Sequence, residues 1–183
     1  TQKLARPQLT PRGASALEIV SQQPASKVLA PQWHRERGEF VWVDSDRNSL
    51  WAGMPGQQAQ EIKRFDTPLN TIMVTSQSQI VVVSNTRLIN LTTGKEAPLE
   101  QPPRCSVPGT ANDIWGVVNR QGENVLVNFT MDGQTSDHAV LPQGVGSIAY
   151  CSVTGSLFLA FPDQGPIQSY NLITRHLKHV CQF

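Results

Sequence analysis

The chain has 183 residues, 16% of them charged, with a formal net charge of +1 at neutral pH. That length allows one domain with a real core or a short array of repeats. The near-neutral balance gives no electrostatic footprint for nucleic acid or an acidic membrane, and no apolar run approaches the ~20 residues of a membrane helix.

The chain opens Thr1-Gln2-Lys3 rather than with Met, which leaves room for an upstream segment such as a signal peptide. The compartment therefore stays open, cytoplasmic or exported. Residues 1–16 are rich in Pro, Gln and Arg without an apolar period, and are expected to form a flexible arm. The folded domain is expected to run from 17 to 183. Its first segment, Leu17–Val20, alternates weakly and reads as a single strand.

Beyond that point the helical period vanishes. Short runs of Val, Ile, Phe and Trp are bounded by Gly, Pro, Asn, Asp and Ser, the pattern of strands and tight turns. Four apolar strand cores recur: Phe40–Asp44, Ile80–Ser84, Ile114–Val118 and Leu157–Phe161, their starts 40, 34 and 43 residues apart. Such spacing belongs to propeller blades.

Each core takes the same place in a four-strand unit. In the first, Lys27–Trp33 precedes it and Ser49–Ala52 and Glu61–Phe65 follow. The second adds Leu69–Thr75, Arg87–Leu91 and Glu96–Glu100. The third adds Cys105–Thr110, Asn124–Phe129 and Ser136–Leu141, and the fourth Gly144–Cys151, Ile167–Asn171 and His176–Cys181. Inner strands are continuously apolar, as sheets covered on both faces require, while outer strands turn polar. The fold class is all-β: a β-propeller-type repeat of four blades with four antiparallel strands each.

The segment Pro31–Ser45, followed by Ser49-Leu50-Trp51, resembles the opening blade of the gluconolactonase / senescence-marker-protein family. Phe65–Ile72, Ile89–Gly94 and Gly144–Tyr150 fall in the order of later family segments, so the resemblance spans about residues 17–180. It implies a six-bladed propeller that hydrolyses sugar lactones with one divalent cation in the central channel. It also places the family's metal-binding Glu at Leu29, with Ala30 at the following Gly, and the Asn of the fourth blade at Gly146. The Arg-Phe-Asn-Asp segment is matched only by Arg104-Cys105-Ser106, and the family's catalytic Asp falls beyond Phe183. Four units in place of six read either as a closed four-bladed propeller or as a truncated six-bladed one.

Other motifs reduce to structure. Asp44–Asn48 matches the start of a calcium loop, but Ser49 and Pro55 stand where Gly and Glu are needed, so a polar turn is expected. His176 and His179 face opposite ways in a strand and read as rim residues. His34–Arg37 reads as a solvated hairpin tip, and Trp33, Trp42, Trp51 and Trp115 as core. Cys105, Cys151 and Cys181 form no CxxC pair; unpaired, mostly buried thiols are expected, or one disulfide if the chain is exported. Asn90-Leu91-Thr92 and Asn128-Phe129-Thr130 match the glycosylation sequon.

No catalytic residue and no cofactor is expected. The leading expectation is a non-catalytic binding or scaffold propeller that presents loops to a small ligand, a protein partner or a second copy. The competing reading is a lactone hydrolase that keeps a divalent cation on atypical ligands. Its candidates are the polar residues nearest strand ends: Asp44, Asp66, Asn70, Asn112, Asp113 and Asp163. A third is a structural subunit whose exposed blade ends a partner completes.

Overall fold

The computed structural model describes residues 27–110, 113–162 and 165–182. The expected arm 1–16, the strand Leu17–Val20 and the candidates Asn112 and Asp163 lie outside the described residues. Those described form no helix, and none is long and apolar enough to cross a membrane.

Blade 1 comprises β1 (Val28–His34), β2 (Glu39–Asp44), β3 (Ser49–Gly53) and β4 (Gln60–Arg64). Blade 2 comprises β5 (Leu69–Val74), β6 (Ile80–Ser84), β7 (Arg87–Asn90) and β8 (Glu96–Pro98). Blade 3 comprises β9 (Cys105–Pro108), β10 (Asp113–Arg120), β11 (Glu123–Thr130) and β12 (Thr135–Leu141). Blade 4 comprises β13 (Ser147–Cys151), β14 (Ser156–Ala160), β15 (Pro166–Asn171) and β16 (Leu177–Gln182). Each blade is a four-stranded antiparallel meander in sequence order. The chain is an all-β, four-bladed β-propeller.

The turns follow from residues whose short side chains bind nearby backbone N–H groups. Asp44 Oδ1 accepts from the N–H groups of Asp46 and Arg47 at 3.2 and 3.4 Å. Ser84 Oγ accepts from the N–H of Arg87 at 3.1 Å, and Asn171 Oδ1 from those of Ile173 and Thr174 at 3.0 and 2.8 Å. Asn90 Oδ1 does the same for Thr92 and Thr93, while its amide donates to Gln79 at 2.7 Å. Asn90 is buried, so this sequon is a turn and not an accessible glycan acceptor.

Because side chains alternate along a strand, each blade can bury one face against each neighbour. Val41, Val43 and Leu50 of blade 1 meet Ile72, Ile80 and Val82 of blade 2. On the far side of blade 2, Val81, Val83 and Leu88 meet Ile114, Val127 and Phe129 of blade 3. Trp115, Val117 and Leu126 of blade 3 then meet Leu157, Leu159 and Tyr170 of blade 4. Among the described residues, no apolar cluster joins blade 4 to blade 1. The outermost strand β4 is exposed along its whole length, as a rim strand must be.

Two expectations need correction. His34 belongs to no solvated tip: it is 2% exposed, its Nε2 lies 3.0 Å from the carbonyl of Ser78, and its Nδ1 accepts from the Arg37 N–H. It ties the first hairpin of blade 1 to that of blade 2. Trp42 and Trp115 are buried, but Trp51 is only partly buried and Trp33 is 45% exposed and lies outside the core.

Ala30 is held at φ +47° beside a register shift in β1. A β-carbon in that left-handed region costs about 1–2 kcal/mol, which glycine avoids. Ala30→Gly is therefore expected to raise the unfolding free energy by about 1 kcal/mol in urea titrations, after the greater backbone entropy of glycine. A loss of stability would show that Ala30 does not hold this conformation.

Candidate functional site

The four innermost strands are the first of each blade, and β1 packs on β5, β5 on β9 and β9 on β13 around the axis. All begin at the same face of the propeller, here termed the entry face. Polar residues at these starts therefore converge although they are far apart in sequence.

At the entry face a cavity of about 230 Å³ opens between β5, β9 and β13. Its walls include Asn70 and Thr71 from β5, Arg104 and Ser106 around β9, and Ser147 from β13. Arg104 extends the β9 ladder, its N–H donating to the Val117 carbonyl at 2.8 Å. Its Nη1 donates to Asn124 Oδ1 at 3.3 Å, and the fully buried Asn124 donates in turn to the Pro142 carbonyl at 3.3 Å. One guanidinium nitrogen of the exposed Arg104 is thus tied to the blade's third strand. Ser106 Oγ is shielded from solvent and has no hydrogen-bond partner among the described residues. Such a hydroxyl carries a cost of about 1–3 kcal/mol that a bound polar group would offset.

Cys105 also lines this cavity, and burial pushes its thiol up to about 11, with the Arg104 charge pulling weakly the other way. A thiol at that value is protonated at neutral pH and makes no nucleophile. The Cys151 thiol is held below its ordinary value by hydrogen bonding from the Thr154 hydroxyl and backbone, at the far end of β13. All three cysteines are unpaired; Cys105 and Cys151 are partly buried and Cys181 is exposed.

Of the residues proposed from sequence, the structure brings only Asn70 to the cavity. Asp44 is fully buried at the entry-face end of β2, where it holds its own turn and sits 3.7 Å from Arg47. Asp66 is exposed ahead of β5. Asp113 pairs with Thr130 at the end where β9 finishes, on the opposite face, and accepts from the Asn128 amide at 3.1 Å. Asp44 and Asp113 are therefore separated by the height of a blade. His176 and His179 are exposed on the rim, as expected.

The residues present do not fit the hard divalent cation that the family resemblance implies. Such a cation takes six or more oxygen ligands, usually including carboxylates. Leu29, at the position of the family's metal-binding Glu, packs against the apolar core between blades 1 and 2. Among the described residues, no three of His, Cys, Asp and Glu gather at one point.

Arg104, Ser106 and Ser147 were not singled out as site residues from the sequence. The signal that marks them is positional: a polar residue at or beside the start of the first strand in three successive units, Asn70, Arg104 and Ser147.

No family model matches the chain, and no curated protein sequence matches it. Solved structures do. A streptogramin B lyase superimposes with a TM-score of 0.66 at 19% identity, over 86% of this chain and 55% of its own. A nidogen–laminin complex does so with a TM-score of 0.65 at 12% identity, over 81% of this chain and 62% of its own. A gluconolactonase from Xanthomonas campestris gives a TM-score of 0.62 at 13% identity, over 83% of this chain and 61% of its own. The likeness shows the fold, a β-propeller. The chain spans 55–62% of the length of these structures. At such identities the likeness carries no function, so function has to be argued from the site.

Proposed function

We propose that this protein is a non-catalytic binding propeller, a degenerate relative of the metal-dependent lactonases. Its ligand is a small polar anion, taken at the entry-face cavity. The observation that carries this reading is the set of residues lining the cavity: Arg104, the amide-bearing Asn70 and the hydroxyl-bearing Thr71, Ser106 and Ser147, with no carboxylate residue among them. Donors of this kind suit a carboxylate bearing hydroxyls, since arginine pairs with carboxylate through charge-assisted hydrogen bonds. A volume of about 230 Å³ suits a ligand below drug size.

The probe is gluconate, titrated by calorimetry into the purified chain, with glucono-lactone hydrolysis assayed in parallel with added calcium, zinc or manganese. Saturable gluconate binding is expected, weakened at least tenfold in Arg104→Ala, with no metal-stimulated hydrolysis. A dose-dependent, metal-stimulated lactonase activity of the pure protein would overturn the reading and restore the hydrolase. Gluconate binding that Arg104→Ala leaves unchanged would remove the cavity from it.

A further inference from the structure

Blades 2 and 4 close their outer hairpins with the same turn. In blade 2, Asn90 Oδ1 accepts from the N–H groups of Thr92 and Thr93, and the Gly94 N–H donates to the Asn90 carbonyl at 2.8 Å. In blade 4, Asn171 Oδ1 accepts from the N–H groups of Ile173 and Thr174, and the Arg175 N–H donates to the Asn171 carbonyl at 2.8 Å. Ile173 therefore stands where the sister turn has Thr92, and Arg175 where it has Gly94. The turn asks for neither. Ile173 is 85% exposed, and Arg175 is held at φ +58°, in the left-handed region that suits Gly94 at +74° because glycine has no β-carbon.

The neighbouring hairpin departs in the same way. Blades 1 and 4 each join their first two strands through four residues, the last of them a glycine at positive φ, Gly38 and Gly155. Val153 stands in blade 4 where blade 1 has Glu36, and it is 92% exposed. The Leu172 N–H donates to the Gly155 carbonyl at 3.2 Å, which sets the two turns side by side. Both lie opposite the entry face, at the end where β13 and β15 finish. Scattered exposed aliphatic residues are ordinary. Two on adjacent tips, each in place of a polar residue of a sister turn, are not required by the fold.

The charges are distributed in keeping with this. Arg37, Arg47, Arg64, Arg87, Lys95 and Arg120 each pair with a carboxylate. Arg175 and Lys178 are exposed and form no ion pair among the described residues, and the described residues of blade 4 include no Asp or Glu. The whole-chain charge of +1 conceals this local excess of cations.

We propose that these tips of blade 4 dock on an anionic membrane surface. Val153 and Ile173 enter the boundary between headgroups and acyl chains, and Arg175 and Lys178 meet the anionic headgroups. Such a surface takes protruding apolar side chains with cations beside them, and each cation adds attraction to acidic lipid. A folded protein partner is met instead through a closely packed apolar patch with a polar rim. One aliphatic side chain on each tip makes no such patch. This inference is independent of what the cavity binds.

The full chain is expected to sediment with vesicles of phosphatidylcholine and phosphatidylserine in equal parts, less so as salt rises, and not with phosphatidylcholine alone. Ile173→Thr, which copies the sister turn, and Val153→Ser are each expected to weaken that binding about tenfold, through the apolar groups lost from the layer. Arg175→Gly is expected to weaken it about fivefold, through one lost cation at the surface. Its thermal midpoint should be no lower than that of wild type, since glycine suits the backbone there. Circular dichroism should report unchanged folding in all three. Wild-type protein left in the supernatant would overturn the proposal in favour of an acidic protein surface. Equal binding to phosphatidylcholine alone, or variants that bind as wild type does, would also overturn it.

Discussion

Leu126→Ala is expected to lower the unfolding free energy by about 2–5 kcal/mol, the range for truncating a buried leucine. Leu126 is fully buried at the middle of β11, paired with Val117 on one side and Ala139 on the other. It belongs to the cluster that joins blades 3 and 4, with Leu157, Leu159 and Tyr170 across the gap. The loss combines the transfer of the missing methyl groups with the cavity they leave. Sheets held in register by ladder hydrogen bonds close such a cavity poorly. Urea unfolding of the variant checks this, with Val140→Ala as its control. Val140 is 63% exposed on the neighbouring strand, so its truncation should stay within about 0.5 kcal/mol of wild type. A Leu126 effect no larger than the control would mean that blades 3 and 4 do not share a packed core.

Gly116→Val is expected to destabilise by about 1–3 kcal/mol or more, through overpacking. Strand propensity alone argues the opposite sign, since valine is the better strand former. Space decides. A β-carbon at Gly116 would lie 2.9 Å from Phe129 Cε2 and 2.9 Å from Pro103 Cβ, and one of them would have to move. Phe129 is 4% exposed within the core between blades 2 and 3, so it yields poorly. Pro103 immediately precedes Arg104, and its displacement would reach the cavity wall. Thermal unfolding, read together with gluconate titration, is expected to show both a lowered midpoint and weaker binding. A variant as stable as wild type would place the neighbouring strands further apart than the geometry here.

The architecture was legible because its signals are local. All sixteen strands of the four units stand within a few residues of where the alternation and turn residues put them, from Ile80–Ser84, which agrees at both ends, to Gly144–Cys151, which begins three residues later. A strand needs only a period of two and a boundary, and Asp44, Ser84, Asn90 and Asn171 close their turns with their own side chains.

The site was not legible in the same way. Asn70, Arg104 and Ser147 lie 34 and 43 residues apart, and they converge only because three blades stack their first strands about one axis. Asp44 and Asp113 both sit at strand ends, yet one belongs to each face of the propeller; strand direction separates them, and composition carries no trace of it. His34 lies in a charged stretch but is buried by a turn 44 residues away. The sequence by itself determined the strands, the turns and the number of blades, because hydrophobic alternation and side-chain-to-backbone hydrogen bonds act over a few residues. Only the tertiary structure decided which polar groups meet, which carboxylates stay apart and which aromatic rings remain uncovered, because those follow from contacts between blades.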